Sequence, residues 1–105
     1  MNFRELSENL GLEEEEYLEL IDLFIDTGTS DLNKLQSAVE EGNGDEAANA
    51  AHSLKGAAGS LGLMDLYETA KVIEGKARNN HLEGIAEAAQ ALKKKLDRIA
   101  EISRR

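Results

Sequence analysis

The stretch Asp45–Gly62, DEAANAAHSLKGAAGSLG, decides the class of fold. At about 100° per residue, Ala47, Ala50, Leu54 and Leu61 gather on one side of a helix, and Ala51, Ala57 and Ala58 widen that apolar face. Asp45 is the expected N-cap, and Gly62 stands where a left-handed glycine ends a helix. The spacing predicts a third helix over 45–61, one layer of a helical bundle.

Upstream, Ile21, Phe24, Ile25, Gly28, Leu32, Leu35 and Val39 recur at steps of three and four. The turn-like string TGTS, Thr27–Ser30, interrupts this stripe without changing its phase, so one helix over 13–41 is predicted, with a kink at Gly28 as the alternative. Its first turn holds the acidic run Glu13–Glu16, favourable at the positive end of the helix dipole and read as solvated. Gly42–Gly44 forms the following loop. Further upstream, Phe3, Leu6 and Leu10 mark a short helix over 2–10, stopped by Gly11.

Downstream, Asp65 with Glu68 resembles a capping pair for a helix over 65–79, whose stripe is Leu66, Ala70, Ile73 and Ala77 and which Asn79 and Asn80 end. A last helix over 82–103 carries Leu82, Ile85, Ala89, Leu92, Leu96, Ile99 and Ile102, and Arg104 and Arg105 follow at its C-terminus. The chain has no Pro, and no alternation of apolar and polar residues is sustained. The expected fold is all-α: a single domain over 1–105, an antiparallel up-down four-helix bundle with a short extra N-terminal helix.

Composition narrows the function. With 105 residues the chain has enough length for one core without staples, and the absence of Cys removes disulfides, thiolate metal sites and cysteine nucleophiles. Lys and Arg number 12 against 21 Asp and Glu, a net charge of −9 that repels nucleic acid and anionic membrane surfaces. No apolar run reaches the length of a signal peptide or a membrane span, so a cytoplasmic location is expected.

One place breaks the rules of scaffold design. His52 points away from the apolar centre, and its neighbours on the outer face are expected to be Ala48, Gly56 and Gly59, with Lys55 about 60° to one side. A glycine inside a helix costs about 1 kcal/mol relative to Ala, so two of them on an exposed face need a reason. Close approach by another macromolecule to the imidazole supplies one; close helix packing is the competing reason, and an exposed His often has no role. Metal binding is not expected, because His52 and His81 are the only histidines and no Glu-x-x-His pair occurs. Ser53 points about 100° from His52, the wrong geometry for a nucleophile and its base, and no strand or Gly-Lys-Ser/Thr accompanies the glycines as a phosphate loop requires. His81, at a helix junction, is given no role, and Ser53 and Ser60 are read as helix-surface residues.

Ala50–Gly62, AAHSLKGAAGSLG, closely resembles the signature of histidine phosphotransfer (HPt) domains: His-x-Leu-Lys-Gly, then small residues and a Leu/Ile-Gly. The flanking IDLFIDTGTSDLNKLQSAVEEGNGDEAANAAH and LMDLYETAKVIEGKARNN are similar to that family's neighbouring helices. The resemblance implies that His52 is the phosphorylated residue, exchanging a phosphoryl group with aspartates of receiver domains in response regulators or hybrid histidine kinases. It implies Lys55 as a stabiliser of the phosphoryl group, Ala48, Gly56 and Gly59 as points of access, and a monomeric phosphocarrier without catalytic activity or cofactor of its own, magnesium belonging to the receiver. On the next helix Tyr67, Lys71, Glu74 and Arg78 form a polar stripe. The family often has Gln where Glu74 stands. Glu74 either accepts a proton from the imidazole Nδ1 or pairs with Arg78 at the surface, while Lys71 and Arg78 are candidates for orienting the ring or touching the partner. The alternative function is an HPt-like scaffold that binds a regulator without phosphotransfer.

Overall fold

The spine of the molecule is its longest helix. The computed structural model describes residues 2–104. Among them α1 spans Phe3–Asn9, α2 Glu14–Glu40, α3 Gly44–Ser60, α4 Met64–Arg78 and α5 Ile85–Ser103. At about 1.5 Å per residue α2 alone accounts for the longest dimension of the molecule, 41 Å. The bundle closes as a ring in which α2 packs on α3, α3 on α4, α4 on α5 and α5 on α2, with α1 laid against α2. The expected all-α bundle with an added N-terminal helix is the fold observed.

α2 runs unbroken through TGTS for two physical reasons. The Thr27 and Thr29 hydroxyls donate to carbonyl oxygens three or four residues back, Thr29 to Ile25 at 2.7 Å, so neither competes for a turn. Gly28 is buried, and a Cβ there would lie 3.4 Å from Leu96 and 3.6 Å from Leu54, so its missing side chain admits α3 and α5 together.

The capping expectations need correction. α3 is capped by Asn43 instead of Asp45: the Asn43 Oδ1 accepts from the Glu46 amide at 3.1 Å, and Gly44 enters the first turn against α4. Asp65 and Glu68 do not cap α4, which starts after Leu63 without a side-chain cap; Asp65 instead meets Lys95 of α5 at 2.9 Å. α5 begins at Ile85 and not at Leu82, because Gly84 adopts φ +79° and turns the chain just before it. The acidic run does more than face water, since Glu13 and Glu16 form a reciprocal capping box at the head of α2. Arg104 caps α5 and reaches Asp22 of α2 at 2.8 Å; Arg105 lies outside the described residues.

The core is built from the expected stripes, with Ile21, Leu32, Leu35, Leu54, Ile73, Leu92 and Leu96 all buried. One tie crosses it that periodicity does not announce. The buried Tyr17 hydroxyl donates to the Leu61 carbonyl oxygen at 2.6 Å, fastening the start of α2 to the turn between α3 and α4.

Candidate functional site

Two antiparallel helices joined by a short turn carry every group of the site. α3 offers His52, whose side chain is 62% exposed, and α4 offers Glu74, whose side chain is 10% exposed, with His52 Nδ1 3.0 Å from Glu74 Oε2. Glu74 is thus buried from solvent and still meets three partners. Lys55 Nζ lies 2.6 Å from Oε1, while Arg78 approaches Oε2 with Nη2 at 2.7 Å and Nε at 3.1 Å.

The electrostatics follow from this arrangement. The Lys55 ammonium, with help from Arg78 and His52, outweighs burial and holds the Glu74 carboxyl at a pKa of about 2. Glu74 is therefore an ionised acceptor at neutral pH, and an acceptor-only carboxylate requires the proton on Nδ1. In the neutral ring the lone pair then lies on Nε2, which has no hydrogen-bond partner among the described residues. With one carboxylate between two permanent cations, the site is locally cationic in a chain of net charge −9.

Glu74 meets both of its expected partners, His52 and Arg78, and Lys55 besides, but it does so from a buried position and not at the surface. Lys55, half-buried, is drawn to Glu74 and not out to solvent. Lys71 is exposed on the outer side of α4 and outside this cluster. Gly56 is exposed, and a Cβ there would meet nothing within 4 Å.

Ala48 is a correction: it is 0% exposed, not an outward residue beside His52. α3 is gripped by α2 on one side and α4 on the other, so its buried arc is wider than a single apolar face and reaches Ala48. Gly59 is half-buried, and a Cβ there would lie 3.2 Å from Cδ2 of Tyr67, so this glycine seats the Tyr67 ring. Ser53, exposed beside His52, donates to Asp31 of α2 at 2.7 Å. Sequence reasoning passed over Gly75, exposed on α4 with open space where a Cβ would be; a glycine in mid-helix next to Glu74 was the available signal.

Comparison with curated proteins and with solved structures returned no match. A family model does match: that of the Hpt domain, over residues 19–102, a span that contains His52, Lys55, Gly56, Glu74 and Arg78 and all but the first turns of the bundle. A histidine presented on an all-helical bundle and a family match over most of the chain agree, and the chain belongs to the Hpt domain family.

Proposed function

We propose that this domain carries a phosphoryl group on Nε2 of His52, taking it from the aspartyl phosphate of one receiver domain and giving it to the aspartate of another. Membership of the Hpt family ties the chain to histidine phosphotransfer in phosphorelays generally. The observation that carries the specific reading is the His52–Glu74 contact at 3.0 Å, which holds the proton on Nδ1 and leaves Nε2 as the exposed nucleophile.

The Nε2 lone pair attacks phosphorus in line, the N–P bond forms, and the P–O bond to the receiver's aspartate breaks with its electron pair leaving on the carboxylate. The Nδ1 proton stays in place. The phosphorylated ring is then cationic, with the Glu74 carboxylate beside it, and in the onward transfer the N–P electron pair returns to Nε2 as the next aspartate attacks. Lys55 steadies the phosphoryl oxygens, and the exposed, side-chain-free Gly56 gives the receiver room to bring its aspartate close. The divalent cation of the reaction is assigned to the receiver, so this domain is a phosphocarrier and not an independent catalyst; in this reading it works as a cytoplasmic monomer.

The test is transfer of labelled phosphate from a panel of phosphorylated receivers to wild type and to His52→Gln. Acid-labile label on wild type and none on the variant is the expected result. Equal label on both moves the site elsewhere; stable receiver binding without any label establishes the scaffold function in its place.

A further inference from the structure

The cation assigned to the phosphoryl group is already occupied: Lys55 Nζ lies 2.6 Å from Glu74 Oε1. It can serve a phosphoryl group on Nε2 only by leaving Glu74, whose buried charge must not be left without a counter-ion. The two oxygens divide the work. Oε1 receives Lys55 alone among the described residues, while Oε2 receives His52 Nδ1 and both the Nε and Nη2 donors of Arg78. Departure of Lys55 therefore removes nothing from Oε2, the oxygen on which the imidazole depends.

We propose that Arg78 is a positioning residue for phosphotransfer: its two-donor grip on Glu74 Oε2 keeps that carboxylate charged and aimed at His52 Nδ1, which releases Lys55 to the phosphoryl oxygens. The proposal rests on the reading of His52 as the phosphorylated residue. Arg78 suits the task by its place and its chemistry. It follows Glu74 by four residues on α4, the favourable order for an acid and a base on one helix, so the pair is set before α3 contributes anything. Its planar fork puts two N–H groups on one oxygen, which a lysine ammonium on a flexible stem does not reproduce. Arg78 itself is 54% exposed and bears little packing load, so its replacement leaves the bundle intact.

The experiment uses wild type, Arg78→Ala, Arg78→Lys, Lys55→Ala and the Arg78→Ala/Lys55→Ala double variant, with phosphoramidate as a small donor. In that reaction the N–P bond to His52 forms as the donor's own P–N bond breaks and ammonia leaves. Lys55→Ala alone is expected to slow labelling about tenfold, equivalent to roughly 1.4 kcal/mol. Arg78→Ala slows it by a similar factor, and the double variant, in which Glu74 keeps neither cation and whose fold is therefore first checked by circular dichroism, is no slower than Arg78→Ala alone, because Lys55 held by Glu74 is already lost to the phosphoryl group. Two full effects that multiply overturn the role of Arg78 while leaving His52 as the carrier. Nitrogen-15 spectra of the imidazole give a readout independent of transfer: the Nδ1–H tautomer should lose population in Arg78→Ala and recover in part in Arg78→Lys, and unchanged tautomers overturn the proposal. No label on wild type, either from phosphoramidate or from phosphorylated receivers, overturns the phosphocarrier reading itself and this one with it.

Discussion

Glu74 is the residue on which the site's pH behaviour turns. Its carboxyl is held at about 2 against an ordinary 4.5, first by Lys55, so the folded state binds its proton less readily than the unfolded chain does. The stability that this depression contributes is complete above about pH 4.5 and is lost as the pH falls through about 2. Urea unfolding across that window should show wild type losing stability on acidification, and Glu74→Gln should show a flatter profile; equal slopes would remove the buried ion cluster as the source. The residue scale is also where the sequence was least transparent. A Glu followed four positions later by an Arg looks like an ordinary surface pair; the family resemblance offered His52 as a second partner for Glu74, but nothing in the sequence shows that Lys55 also lies across it. His52, Lys55 and Gly56 stood out because their motif fixes types and spacing together; Ala48 misled because a wheel drawn around one apolar face assumes one packing partner, and α3 has two.

At the scale of the element, two of the three glycines of α3 have opposite meanings. Gly44 lies in its first turn against the end of α4, where a Cβ would sit 2.7 Å from the Ala77 carbonyl oxygen, a backbone atom that cannot step aside. Gly44→Ala should therefore destabilise the domain by about 2 kcal/mol in thermal or urea unfolding, within the range of overpacking substitutions. Gly56 meets nothing, so Gly56→Ala should stabilise by up to about 1 kcal/mol through helix propensity. The same added methyl should slow transfer from phosphorylated receivers and leave labelling by phosphoramidate unchanged, because only the larger donor needs the vacant space. Faster or equal receiver transfer would show that the glycine is not there for docking. Element existence was legible from the stripes, which tertiary packing obeys. Element ends were less so: Asn43 and Asp45 are both good caps on chemistry alone, and the contact of Gly44 with Ala77, at the far end of α4, settles between them only in three dimensions.

For the molecule as a whole, the short α1 and the bundle divide stability from signalling. Phe3 stacks obliquely on Tyr17, with ring centroids 6.2 Å apart, and α1 packs chiefly on α2, its Leu6 also reaching Gly62 in the turn after α3, while the Hpt match begins at residue 19. Phe3→Ala should lower unfolding free energy by about 3 kcal/mol, the usual penalty for removing a packed aromatic ring, and leave the rate of His52 labelling as in wild type. A loss of labelling in the folded variant would tie α1 to the site.

The turn between α3 and α4 gives the site an unusual independence in time. His52 and Glu74 are 22 residues apart, whereas Arg104 and Asp22 must close a separation of 82. Loop closure over the shorter span carries the smaller entropy loss, and α3 and α4 are neighbours on the nascent chain. As synthesis proceeds from the N-terminus, α2, α3 and α4 all precede α5, so the imidazole can find its carboxylate while the fourth side of the bundle is still being made. On this chain order the His52–Glu74 contact, and with it the proposed phosphoacceptor, does not wait for α5, which then closes the fourth side of the bundle.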